Sequence, residues 1–202
     1  MATTFGPLVA RIVDETTRPD LEAQIRSGIN QAVRFYNRQR FWFTDTSTSL
    51  VTVAGTTLYD HGLSRVDSVF LQRPGGGWEV RASDWDWIER NSDAVYRGEP
   101  SDWASIGTQI RLYPTPDRVY ALTLKGAREL AALLSDTDTN AFLAQAEDLI
   151  AARVRARLYA TVIREESGDA AVAAAQEQEE LRQLMAQGAR RGATGQVRSF
   201  MP

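Results

Sequence analysis

The segment Arg97-Gly-Glu-Pro-Ser-Asp-Trp-Ala-Ser-Ile-Gly-Thr-Gln-Ile-Arg-Leu-Tyr-Pro-Thr-Pro-Asp-Arg-Val-Tyr-Ala-Leu-Thr-Leu124 reads as a compact antiparallel unit. Gly98 and Pro100 break the chain, and Trp103 to Ile106 forms a short strand. Gly107-Thr108 is a two-residue turn, from which Gln109 to Tyr113 returns with Ile110 and Leu112 on one face. Pro114 and Pro116 cannot donate to a ladder, so they end that strand. Asp117-Arg118 turns into a last strand, Val119 to Lys125. The chain reads as helix then sheet before this unit, and as helix after it.

Outward from that unit, Thr44 to Lys125 keeps a period of two. Leu50 to Val53, the turn Ala54-Gly55-Thr56, and Leu58-Tyr59 read as a hairpin. Val66 to Gln72 is a strand, and Trp78-Glu79-Val80 returns from it across Pro74-Gly75-Gly76-Gly77. That glycine run is not followed by Gly-Lys-Ser/Thr, so it reads as a hairpin tip and not a phosphate loop. Ser83 to Arg90 is a short helix with Ser83 as its N-cap.

The flanks carry helical periodicity. Thr3 or Thr4 caps a first helix whose buried face is Phe5, Leu8, Val9, Ile12 and Val13. Thr16 to Pro19 breaks it and starts a second, with Leu21, Ile25, Ile29, Ala32, Val33 and Tyr36 as its stripe. Arg26, Arg34, Arg38 and Arg40 lie largely off that stripe and read as a solvated face. Phe41-Trp42-Phe43 closes the helix and is expected to anchor it to the sheet. After Ser135 to Asn140, rich in capping residues, one long helix is expected from Ala141 to Glu165. Phe142, Leu143, Ala146, Leu149, Ile150, Val154, Leu158 and Val162 make its face. Ser167-Gly168-Asp169 stops it and caps a weakly amphipathic helix, Ala170 to Gln187, with an acidic cluster at Glu177, Glu179 and Glu180. Gly188 to Pro202 holds three arginines, no acid and three late apolar residues, Val197, Phe200 and Met201. It reads as a segment that is disordered alone and orders on a partner.

The expected architecture is therefore α+β, mainly α: a bundle of two N-terminal and two long C-terminal helices, with a small antiparallel β insertion and an extended tail. The boundaries are 1–43 for the N-terminal helices, 44–126 for the β insertion, 127–187 for the C-terminal helices and 188–202 for the tail. The length of 202 residues suffices to bury a core. Cysteine is absent, which removes disulfides, thiolate metal sites and thiol nucleophiles. No secretory leader and no apolar run near the ~20 residues of a membrane span is visible, so a soluble protein is expected. The net charge of −3 argues against a chain whose task is gripping nucleic acid.

Reactive constellations are sparse. His61, the single histidine, lies in the turn-like Tyr59-Asp60-His61-Gly62, and no Gly-x-Ser-x-Gly elbow accompanies it. Asp84 with Asp86, and Glu165 with Glu166, sit at helix ends, where acids serve the dipole. Asp136 and Asp138 resemble the start of a calcium loop but lack its glycine and terminal glutamate. Trp78, Trp85, Trp87 and Trp103 read as core or as a subunit or tail interface. No enzyme, cofactor or metal is expected, and the chain reads as structural.

The motif Gly98, Pro100, Trp103, Ile110, Leu112, Tyr113, Pro114, Pro116, Asp117, Tyr120, Leu122 and Leu124 resembles the sheet domain of the head-to-tail adaptor (connector) proteins of tailed bacteriophages. The order of elements around it does so too. The resemblance implies a virion protein at the head–tail junction, assembled in the host cytoplasm as a homo-oligomeric ring, generally twelve-fold, beneath the portal. It implies partners in the portal protein and in a downstream tail protein such as a nozzle, stopper or tail terminator. Genomic DNA would pass through the channel without specific binding, and no membrane would be involved. The tail, with Arg190, Arg191, Val197, Arg198, Phe200 and Met201, would bind the portal. Two departures stand out: Tyr59-Asp60-His61-Gly62-Leu63 lacks the usual proline, and Gly126 stands where an aromatic is common. Alternative readings are a tail-completion or stopper subunit, or a carbohydrate- or nucleic-acid-binding module using the sheet tryptophans.

Overall fold

The computed structural model describes residues 3–92, 96–163 and 168–194. The chain divides into two compact units, residues 1–43 with 130–202, and residues 44–129.

The helical unit starts with α1 (Phe5–Thr16), which buries Phe5, Leu8, Val9 and Ile12. Thr17 takes a left-handed conformation and ends it. A single 3-10 turn, Pro19–Leu21, leads into α2 (Glu22–Tyr36). Its buried stripe is Ile25, Ile29, Ala32, Val33 and Tyr36, and each large apolar side chain so buried contributes about 1.5–3 kcal/mol. Asn30 on α2 and Asn37 at its C-cap bond an extended backbone segment. Asn37 exchanges both amide bonds with the backbone of Leu130 (2.9 and 3.1 Å), and Asn30 does the same with Leu133 (2.8 and 2.8 Å). They hold an extended segment that buries Leu133.

Asn140 caps α4 (Ala141–Gln145) by accepting from Phe142 and Leu143 N–H. The expected single long helix is broken here. Ala146 leaves helical geometry at φ −145°, and α5 (Glu147–Leu158) begins afresh with Glu147 and Asp148 in its first turn. A π-helical turn, Tyr159–Ile163, ends it. The last helix, α6 (Asp169–Thr194), runs seven residues beyond the expected stop at Gln187. Gly188 lies inside this helix, where even a Cβ would make only an ordinary contact, 3.5 Å, with the Trp42 ring. Within the helical unit Phe41 stacks on Phe43, and both meet Phe142 edge-on in the core.

The second unit is a seven-stranded sheet ordered β1-β9-β3-β4-β6-β7-β2, curled into a half-barrel. Its strands are β1 (Asp45–Val51), β2 (Leu58–Asp60), β3 (Arg65–Arg73), β4 (Gly76–Ala82), β6 (Asp102–Ile106), β7 (Gln109–Tyr113) and β9 (Ala121–Ala127). The short β5 (Arg97–Gly98) and β8 (Thr115–Pro116) form a separate parallel pair. Helix α3 (Trp85–Asn91) is capped by Asp84, whose carboxylate accepts from Trp87 N–H, and not by Ser83. The mainly helical bundle with a small antiparallel insertion and an extended tail is thus corrected on three counts. Strand makes up 26% of the chain, β4 and β6 run parallel, and α6 occupies the first part of the tail.

The expected hairpin of β1 and β2 does not form either. β1 pairs with β9 and β2 with β7. Between them Thr52 N–H reaches Tyr120 O, Gly55 N–H reaches Pro116 O, and Leu112 N–H reaches Thr57 O. Residues 45–60 and 109–127 are therefore the two sides of one long ribbon. It bends at Gly55 (φ +83°), opposite Pro114 and Pro116. The ribbon encloses a core of Leu63, Val66, Val69, Leu71, Val80, Trp103, Ile110, Leu112, Tyr120, Leu122 and Leu124. Gly126 is required at its position in β9, since a Cβ would collide with the Arg65 carbonyl oxygen.

Candidate functional site

The four sheet tryptophans separate by environment. Trp103 is buried and donates its indole N–H to Val80 O at 3.0 Å, so it is a core residue and leaves the set of surface candidates. Trp78 is 61% exposed with the Arg73 guanidinium 5.0 Å above its ring; Arg73 is paired with Glu99. Trp85 donates to Glu89 (3.2 Å) and lies under Arg111. Trp87 meets Tyr113 edge-on at 5.3 Å, and the Tyr96 ring lies tilted 6.0 Å from that of Tyr113. Trp87, Tyr113 and Tyr96 make an aromatic row, exposed at Trp87 and Tyr96. Tyr96 has no periodic signal in the sequence, because it stands in a loop outside any alternating run.

The β4–β6 junction holds a buried carboxylate that sequence reasoning missed. Asp102 accepts from Arg81 Nε (2.6 Å), Ser83 Oγ (2.7 Å) and Ser101 Oγ (2.7 Å). Burial works against its charge, yet these hydrogen bonds outweigh it and hold the carboxyl below the usual range. The cluster sits where β4 and β6 meet in parallel for only two residue pairs, so side-chain bonds supplement a short ladder.

In the helical unit, Arg190 and Arg191 of the expected portal-binding set lie on α6. The Arg191 guanidinium is 4.7 Å from the Trp42 ring centroid. Val197, Arg198, Phe200 and Met201 lie outside the described residues, as do Glu165 and Glu166. Many arginines are occupied by carboxylates: Arg11 by Glu147 and Asp148, Arg26 by Glu22 and Asp136, Arg153 by Glu177, and Arg155 by Glu15. Each such surface pair contributes little to stability, but together they remove free cation from these helices. The acidic cluster of α6 is not uniformly solvated, because Glu177 also accepts from Tyr36 Oη at 2.7 Å.

His61 is buried, its Nδ1 accepting from Leu63 N–H at 3.1 Å, and burial lowers its basicity. It serves the turn between β2 and β3. Asp138 accepts from Leu134 and Ser135 N–H, and Asp136 faces Arg26, so neither belongs to a calcium loop. Among the described residues no group of three metal-ligating side chains converges, and no helix is long and apolar enough to cross a membrane. What the surface offers is polar and aromatic contact area. The profile of one family, the SU10 adaptor proteins, matches residues 3–199. The chain belongs to the SU10 adaptor protein family. This is a family of structural phage adaptors, and it implies interaction with other phage proteins of head and tail. No curated protein matches the chain.

Proposed function

We infer that this SU10-family chain is a head-to-tail adaptor: a structural virion protein that assembles as a ring beneath the portal, closes the filled head and presents the surface on which the tail docks. The observation that carries this reading is the family match, which spans nearly the whole chain and so includes both units. A twelve-fold ring follows from the resemblance of the sheet motif to connector proteins. The mechanism is templated assembly, in which the portal gathers subunits whose self-interface is weak.

Two features suit the role. The net charge of −3 and the pairing of helix arginines with carboxylates suit a channel that DNA must cross without sticking, since free cations would bind phosphates by counterion release. The exposed Trp78, Trp87 and Tyr96 supply the residue types that dominate protein interfaces. Trp78, Trp85 and Trp87 are accordingly the subunit or tail contacts, and the segment with Arg190, Arg191, Val197, Arg198, Phe200 and Met201 is the portal contact.

The test is the mass of the chain by light scattering, alone and mixed with the cognate portal. A small free species that adds to the portal as a ring is expected. A chain truncated after Thr194 is expected to keep its fold and lose portal binding. A free chain indifferent to the portal overturns the reading.

A further inference from the structure

His61, the chain's single histidine, sits at one end of the sheet. β2 is the last strand there, paired on one side with β7, and it is only three residues long. One further bond extends its ladder at each end. Leu112 N–H reaches Thr57 O, and His61 N–H reaches Thr108 O at 3.0 Å. Past His61 the chain turns through Gly62 (φ +65°) to Leu63, which is buried in the sheet core. The His61 ring closes this turn, because its Nδ1 accepts from Leu63 N–H at 3.1 Å.

That bond fixes the protonation state of the ring. A neutral imidazole has one donor and one acceptor nitrogen. With Nδ1 accepting, the ring proton is on Nε2, and the only place for a second proton is the Nδ1 lone pair that holds Leu63. The imidazolium therefore meets the Leu63 N–H donor to donor, and the bond is lost. The charge is also poorly placed. His61 is only 7% exposed, and its Nε2 is buried without a well-aligned hydrogen-bond partner. Burial disfavours the charged ring and outweighs the Gln109 carbonyl and the Asp60 carboxylate, which favour it. Charges on the adjoining strands are turned to other partners: Arg111 of β7 to Glu89, and Arg65 of β3 to Asp67.

We propose that His61 is an acid-operated latch on the sheet edge: protonation at Nδ1 breaks the Leu63 bond, expels the ring from its buried position and releases β2 from β7, while the rest of the sheet stays folded. Opening is local because β2 is short and terminal, and such segments open at a lower free energy than a core strand. β7 then has a bare outer edge, and it ends in Tyr113, which Trp87 and Tyr96 both meet. A base whose folded-state value is depressed stabilises in full above its unfolded value, ordinarily 6.5, and that contribution is lost as pH falls through the folded-state one. The latch is thus closed at neutral pH and opens in mild acid, above the range in which ordinary carboxylates titrate. It does not depend on the adaptor reading.

Two measurements on the full chain, between about pH 7.5 and 5, test the latch. As the single histidine, His61 gives one imidazole titration by NMR, with its midpoint expected below 6.5. Amide exchange protection, taken relative to the unfolded chain at each pH, should fall about tenfold at His61, Leu63 and Leu112 with that same midpoint, as a shift of one pKa unit would produce. Thr52 and Arg128, bonded to Tyr120 O and Thr44 O, should keep theirs. In His61→Gln the three amides should lose their pH dependence. A ring that titrates without any change at the three amides overturns the latch, and so does a midpoint at or above 6.5. Equal loss at Thr52 and Arg128 overturns it in favour of unfolding of the whole sheet. PH dependence that persists in His61→Gln assigns the opening to another group. Should that variant not fold, the shared midpoint of ring and amides in the unsubstituted chain still decides.

Discussion

The Tyr36 hydroxyl donates to Glu177 Oε1 at 2.7 Å, and Arg153 Nη1 reaches the same oxygen at 2.5 Å. One carboxylate thus ties α2, α5 and α6 together, with the Arg153 guanidinium 3.4 Å from the Phe35 ring centroid. Glu177→Ala strands both donors and should cost roughly 2–3 kcal/mol, whereas Tyr36→Phe removes one bond and should cost about 1 kcal/mol. Chemical denaturation of the three proteins checks this order, and equal losses would show that the carboxylate does not serve both partners.

Tyr36 also sets an alkaline limit. Burial, aided by the Glu177 carboxylate, raises its phenol above the ordinary 10.0. A raised folded-state pKa means that the stabilisation is complete below the unfolded value and is lost as pH climbs through the folded one. Thermal midpoints should therefore fall as pH rises above about 10, and Tyr36→Phe should fall less steeply. Some decline remains in that variant, because burial raises Tyr59 and Tyr120 as well.

Asp102 sets the acid limit of the sheet unit. Its carboxyl is held below the ordinary 3.8, so its contribution is full above that value and is lost as pH falls through the folded-state one. Asp102→Asn should cost about 1–3 kcal/mol at neutral pH, since it leaves Arg81, Ser83 and Ser101 with a poorer acceptor. Its loss of stability between pH 5 and 2 should be shallower than that of the unsubstituted chain. Parallel acid curves for the two proteins would assign the acid sensitivity to other carboxylates.

Local patterns were legible where the contacts are local. The stripe Phe5, Leu8, Val9, Ile12 is the buried face of α1, and the Gly107-Thr108 turn joins β6 to β7 as its sequence suggests. Pairing across about sixty residues was not. Leu50 to Tyr59 looks like a hairpin because its partners, Gln109 to Ala127, are far along the chain. Ala146 breaks a helix without a proline or glycine to announce it, and Gly188, which reads as a stop, lies inside a helix that runs on to Thr194. The aromatic row was half legible: tryptophan drew attention to Trp87, but Tyr96 joins it only through the fold.

Gly126 shows how one departure from a family pattern is enforced by packing. A methyl there meets the Arg65 carbonyl across the β3–β9 ladder, which is backbone and cannot swing aside. Gly126→Ala should destabilise by about 1–3 kcal/mol or more through overpacking. Gly77→Ala, whose Cβ would stand 3.5 Å from the flexible Gln72 amide, should cost less. Equal midpoints for the two variants would mean that β9 shifts to make room.

The tryptophans divide stability from recognition. Trp103 fills the sheet core and holds Val80 O, so Trp103→Ala should cost about 3–5 kcal/mol and reduce binding only by unfolding the chain. Trp87 and Tyr96 are exposed, and each ring meets that of Tyr113. Trp87→Ala and Tyr96→Ala should leave the thermal midpoint nearly unchanged, yet each should weaken capture of tails by adaptor-bearing heads about tenfold, as an interface anchor does. Sedimentation of head–tail complexes with each variant distinguishes the two classes. Loss of tail capture with Trp103→Ala while that chain remains folded would move the docking surface from the aromatic row to the β4–β6 junction.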